Sequence, residues 1–215
     1  ALEALYEGEL EEVAARLARH FAADPHKEQH YARLAGEWAA AQYANDEAVR
    51  HLSRALELTP EGDLAERFEL LLAREQVYDR QSDRDAQRRD LAALEEVAAA
   101  LADPQKQAEV ALRQASCAYF CADSTQCMAS AQVAAGLGES LGSPDLEARA
   151  HRLWAMALGH LGQHEAAIRH RERSLALARA SGAHWLEAEN LRQLGWNYSF
   201  LGEHDQAEAC LRAAL

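Results

Sequence analysis

The sequence predicts an all-α chain: a right-handed α-α superhelix, or solenoid, of about five helix hairpins with a period near forty residues. Three observations carry this. About a fifth of the 215 residues are Ala, the strongest helix former, against only 4 Pro and 11 Gly. Runs of Val, Ile, Thr and aromatics that would read as strands are absent. Above all, the chain repeats itself, and a fixed period of 20–50 residues is the mark of a repeat architecture.

The repeat is clearest at the C-terminal end. Leu194–Ala207 reads Leu-Gly-Trp-Asn-Tyr-Ser-Phe-Leu-Gly-Glu-His-Asp-Gln-Ala, and Trp154–Ala167 reads Trp-Ala-Met-Ala-Leu-Gly-His-Leu-Gly-Gln-His-Glu-Ala-Ala. The Leu161-Gly162 and Leu201-Gly202 turns superpose without a gap, as do His164 with His204 and Ala167 with Ala207. The same step carries backward. Small residues recur at Ala115, Ala155 and Gly195, and again at Cys127, Ala167 and Ala207. The turn position holds Ser82, Ala122, Gly162 and Gly202, and Pro104 and Pro144 break the chain between units. A first unit fits after a one-residue shift, with Gly36, Ala48, Leu52, Ala55 and Pro60.

The expected elements follow in order. A lead-in or capping helix runs from about Leu2 to Phe21, within a segment 1–24. The repeat array occupies 25–215, in units near 27–60, 63–103, 104–143, 144–183 and 184–215. Each unit is two apolar-periodic stretches around a short turn. In the last, Leu191, Leu194, Gly195 and Tyr198 form one stripe, and Ala207, Leu211 and Ala214 form the facing one. That spacing is an amphipathic helix signature. One hairpin cannot bury its apolar face alone, but stacked hairpins bury a continuous core. Small residues recur where the two helices must approach closely. Helices longer than average are expected, because forty residues contain only two short connections.

These residues resemble a tetratricopeptide repeat. That family's pattern is filled in the last unit by Leu191, Leu194, Gly195, Tyr198, Gly202, Ala207, Leu211 and Ala214. The middle units depart from it: Glu75 stands where a small residue is expected, Gln87 where Ala is, and Arg171 where a large apolar residue is. The family period is about 34 residues, whereas HEAT and armadillo units run about 40–47. The turn and small-residue pattern outweighs the period. A narrower resemblance lies in the opening Leu-Glu-Ala-Leu-Tyr, in Tyr43–Ala48 and in Arg67–Arg74. These are similar to the helical arm of large bacterial signalling ATPases, and that resemblance implies a regulatory context. None of the catalytic motifs of those proteins lies in this chain. The chain opens on Ala, which fits a segment of a longer protein or loss of an initiator Met.

Charge and motifs narrow the function. With 22 Lys or Arg against 35 Asp or Glu, the formal net charge is −13. An acidic surface repels phosphate backbones, so nucleic acid is not expected as a partner. No apolar run is long enough to cross a bilayer and no secretory signal is present, so a cytoplasmic protein without membrane association is expected. Cys117, Cys121 and Cys127 cluster, but Cys127 falls on the Ala167/Ala207 column, which marks a small core residue rather than a zinc ligand. All four Cys are expected as free thiols. His164-Glu165 opens like a zinc-protease motif, yet Ile168 takes the second His place. The Gly136-Leu137-Gly138 run follows no strand and is expected to loosen a helix end. No metal, no cofactor and no enzymatic activity are expected.

The candidate site is the concave face lined by the first helices of the hairpins, as the resemblance implies. That column holds Gln76, Arg80, Arg113, Ser116, Phe120, Arg152, Met156, His160, Arg192, Trp196 and Phe200. Arg and Trp anchor interfaces, and an Arg row favours an acidic or carboxylate-bearing ligand. The Lys and paired Asn of a chaperone-tail clamp are missing: Arg192, Gln193 and Trp196 stand there instead. A protein or peptide partner is expected, with the chain acting as a scaffold, and a small-molecule or peptide sensor whose curvature changes is the alternative. The apolar face ending at Leu215 lacks a polar cap, so pairing with a second copy would also cover it.

Overall fold

The computed structural model describes residues 10–215. Among them are eleven α-helices and no strand: α1 (Leu10–His20), α2 (Pro25–Ala41), α3 (Asn45–Leu58), α4 (Leu64–Gln81), α5 (Arg84–Ala100), α6 (Pro104–Phe120), α7 (Ser124–Ser140), α8 (Pro144–His160), α9 (His164–Ser181), α10 (His184–Phe200) and α11 (His204–Ala213). The expected lead-in helix lies partly outside the described residues. Most helices from α4 onward have 17 or 18 residues, long for a globular protein. No described helix is long and apolar enough to cross a membrane.

The helix ends explain the period. A left-handed residue recurs twenty positions apart at Ser82, Ala102, Ala122, Gly142, Gly162, Gly182 and Gly202. Each follows a helix. At most of them the next N–H reaches back to the carbonyl five residues earlier, as in Asp123 to Ala118, Gln163 to Leu158 and Glu203 to Tyr198, at 2.9–3.0 Å. This satisfies carbonyls that a helix terminus leaves open. Turns within and between hairpins are therefore alike, and the sequence period near forty is two structural steps of twenty. Four successive helices, α4 to α7, start on side-chain caps: Asp63, Asp83, Asp103 and Asp123 accept from backbone N–H groups in the first turn.

The helices divide into two compact units, the first ending at Ala102 and the second running Asp103–Leu215. In the first, Leu17, Tyr31, Leu52, Leu70 and Val77 pack around Ala48 and Ala55. Two of the departures from the repeat pattern compensate each other there. Gln87 donates to Glu75 across 2.7 Å, with both side chains buried, so a polar pair fills the place of a small-residue contact. Arg74 on α4 makes a two-point ion pair with Asp90 on α5, at 2.8 and 2.7 Å.

The second unit holds three hairpins: α6–α7, α8–α9 and α10–α11. Its core is largely Ala, with Ala115, Ala131, Ala134, Ala150 and Ala157 around Leu112 and Leu153. Cys127 is fully buried in that core, 3.6 Å from the Leu153 carbonyl, and burial pushes its thiol up to about 11. Gly138 does not loosen its helix, contrary to the expectation from the Gly136-Leu137-Gly138 run. The helix continues to Ser140, and a Cβ on Gly138 would stand 2.8 Å from the Glu147 backbone nitrogen. The glycine is there so that α8 can approach.

Candidate functional site

Within the second unit the first helix of each hairpin, α6, α8 and α10, touches the first helix of the next. Residues four apart share a helix face. Ser116 with Phe120, then Arg152 with Met156 and His160, then Arg192 with Trp196 and Phe200, therefore project together from three neighbouring helices. Gln76 and Arg80 belong to α4 of the first unit, where Gln76 is exposed, Arg80 is half-buried and the Arg80 guanidinium lies 6.0 Å from the Tyr43 ring centre.

The aromatic residues of this face are in solvent. Phe120 is 60%, Trp196 55% and Phe200 64% exposed. Phe200 stacks on His164 at 4.7 Å and has Trp196 6.1 Å away. At the other end, Tyr119 stacks on His160 at 4.6 Å, with the Tyr119 hydroxyl 3.1 Å from His160 Nε2. His160 is thus held from the preceding hairpin. Arg113 is tied to Glu109 on its own helix at 3.3 Å, and Ser116 is half-buried.

The cations between these aromatic ends differ in their partners. Arg192 donates twice to Glu189, at 3.0 and 2.9 Å, and Gln193 donates to the same carboxylate at 3.2 Å. Burial works against ionisation of Glu189, but these bonds hold its carboxyl below the ordinary range. Arg152 has no such partner. Its Nη1 points at the Met156 sulfur, 3.1 Å away, its Nε is buried without any hydrogen bond, and its guanidinium sits 5.7 Å from the Trp185 ring centre. Burial pushes its pKa down.

Arg171, on α9, completes the group and was absent from the expected column. It is 3% exposed. Its charge is felt by Glu189, Arg152, Arg192 and Tyr119, and burial pushes its pKa down to about 10. Its Nε and Nη1 make no hydrogen bond. The signal was present in the sequence as a departure: Arg171 holds the column that Leu211 holds one repeat later. Periodicity alone cannot say that the side chain at a core column lies beneath the face of α8 and α10.

A second polar cluster lies away from this face. His151 Nδ1 and His170 Nδ1 are 2.9 Å apart, so one ring N–H donates to the other's lone pair. Trp154 stacks on His170 at 4.2 Å. Burial and then the neighbouring His151 push His170 down to about 4. Among the described residues no group of three or more His, Cys, Asp or Glu is placed to hold a metal ion.

A chain of antiparallel helix pairs with small residues at their crossings, left-handed turns and an outward face of Arg and aromatics has a tetratricopeptide-type helical repeat fold. Residues 146–215 match the tetratricopeptide repeat family model directly. No curated protein sequence matches significantly. Among solved structures, BtubC (BKLC) from P. vanneervenii is similar over 96% of this chain and 89% of that one, with TM-score 0.78 at 16% identity. A signal transduction ATPase with numerous domains, carrying a tetratricopeptide repeat sensor and coming from Pyrococcus horikoshii, is similar over 98% of this chain, with TM-score 0.71 at 17% identity. The match spans only 34% of that ATPase chain. MamA from Desulfovibrio magneticus RS-1 gives 0.66 at 14% identity, over 86% of this chain and 92% of that one. At these identities the likeness is one of fold.

Proposed function

We propose that the chain is a protein-interaction scaffold, with residues 25–215 as its repeat array, serving as the regulatory arm of a larger bacterial signalling protein. It acts by holding a peptide or domain on the face of α6, α8 and α10, and it performs no chemistry itself. The observation that carries this is the exposure of Phe120, Trp196 and Phe200 on one face together with Arg152 and Arg192. Large aromatics left in water beside arginines are the composition of interface hot spots. The fold supports the reading, since tetratricopeptide-type repeats commonly mediate protein–protein interaction.

A peptide selected from a displayed random library for binding the full chain provides the test. Trp196→Ala should weaken capture at least tenfold, and the exposed position leaves the fold intact by circular dichroism. Capture that survives both Trp196→Ala and Phe200→Ala would remove this face as the site. A second reading, a sensor whose hairpins shift on ligand binding, is supported by the fold shared with the sensor-bearing ATPase. It expects a ligand to change the distance between labels on α6 and α10, whereas a plain scaffold does not.

A further inference from the structure

The second unit buries positive charge that its own residues leave without hydrogen-bond partners. Arg171 is 97% buried, with Nε and Nη1 unpartnered, and the buried Nε of Arg152 is unpartnered too. The one carboxylate acting on both, Glu189, is already engaged by Arg192 and Gln193. The remaining contact of Arg152 is a thioether, a weak acceptor. Three guanidiniums therefore face one carboxylate. A charge taken out of water without a partner is strongly unfavourable, and a leucine at the Arg171 column would serve packing better. The chain instead places guanidinium donors, whose planar fork fits oxygen anions, beneath a face whose aromatics Trp196 and Phe200 stand in water.

We propose that Arg171 and Arg152 form an oxyanion-binding site that receives a carboxylate or phosphate group of the molecule docking on the α6, α8 and α10 face. The proposal rests on the interaction reading above and narrows it to anionic ligands. The bound oxyanion takes the unused donors of both arginines; these are sealed from water in the free chain, so binding turns the two side chains toward the α8 and α10 face. Arg192, already bonded to Glu189, lies at the rim and contributes field rather than a free fork. The site takes one anionic group deeply, so an acidic or phosphorylated residue anchors the ligand while Trp196 and Phe200 hold its apolar neighbours.

Calorimetric titration and thermal melting of the full chain with inorganic phosphate, with glutarate and with chloride at matched ionic strength test this. Phosphate or glutarate is expected to bind and to raise the melting temperature by several degrees, with chloride inert. The stronger of the two assigns the phosphoryl or the carboxylate source. Arg171→Leu and Arg152→Gln are each expected to reduce that affinity at least tenfold with the helical spectrum unchanged. If Arg171→Leu misfolds, Arg152→Gln and the chloride control carry the test. No binding of either anion, protection by chloride equal to theirs, or unchanged affinity in the folded variants would overturn the site. Library peptides separate the two readings. Capture lost in Trp196→Ala but unchanged in Arg171→Leu leaves the scaffold and refutes the oxyanion site. Anion binding lost in Arg171→Leu with capture indifferent to every variant on the face refutes the scaffold reading and leaves the anion site.

Discussion

Arg171→Leu should make the free chain more stable. Burial pushes the Arg171 pKa well below the ordinary arginine value, down to about 10. At about 1.4 kcal/mol per pH unit this is about 3 kcal/mol of disfavoured charge. The attraction of Glu189 is already contained in that figure. Leucine removes the charge and keeps an apolar side chain at the column where Leu211 sits in the next repeat. Some packing of the long arginine stem is lost, so a net gain of about 1–3 kcal/mol is expected, in the range seen when buried ionic groups are replaced by apolar ones. The sign with pH is fixed. A base with a depressed folded pKa costs its full amount below about pH 10, and the cost fades as pH rises from there toward the ordinary arginine value. The gain is therefore constant between pH 6 and pH 9. The assay is urea unfolding followed by tryptophan fluorescence, since Trp154, Trp185 and Trp196 lie in the second unit and only Trp38 in the first. With a slope of about 2 kcal/mol/M, the midpoint should rise by about 0.5–1.5 M without a change of slope. A lower midpoint would mean that Arg171 is held by favourable contacts in the free chain, and the argument for an unfilled anion site would fail with it.

Two further outcomes follow from the same packing. Gly138→Ala should destabilise by about 1–2 kcal/mol, because its Cβ meets the Glu147 backbone at 2.8 Å and the cost of overpacking exceeds the helix-propensity gain of about 1 kcal/mol. Gly195→Ala should lie within about 0.5 kcal/mol of neutral, since the atoms it meets at 2.6 and 2.8 Å belong to the Leu211 side chain, which is 41% exposed and free to turn away. Urea midpoints of the two variants in the opposite order would contradict this account of the close crossings. Burial and His151 push His170 down to about 4, so the unfolded chain binds the proton first and stability falls as pH drops from 6.5 toward 4. The loss is on the order of 1–2 kcal/mol after allowance for partial exposure. His170→Phe, which keeps the stack on Trp154, should flatten that part of the profile between pH 7 and pH 4.5. An unchanged slope would assign the acid sensitivity elsewhere.

The sequence alone determined the helices, their pairing and the turns, because each of these is set by residues near one another along the chain. The i, i+3, i+4 spacing of apolar residues fixes which face of a helix is buried. The small-residue columns at Ala115, Ala155 and Gly195 fix where neighbouring helices cross. The left-handed turns at Gly162 and Gly202 need residues that tolerate that backbone. Spacing likewise sets Arg152 with Met156, and Arg192 with Trp196, on shared helix faces. What tertiary packing decided is the fate of residues that broke the pattern. Glu75 and Gln87 read separately as faults in two columns, yet they are partners across two helices. Gly138 read as a weak helix end, yet it is a crossing point with α8. Arg171 read as a degenerate position, yet it lies buried beside Arg152 on α8 and Glu189 on α10, with donors unused. A one-dimensional pattern records whether a position is apolar. Whether a buried charge is paired depends on distances between side chains from different helices, and only the folded packing sets those.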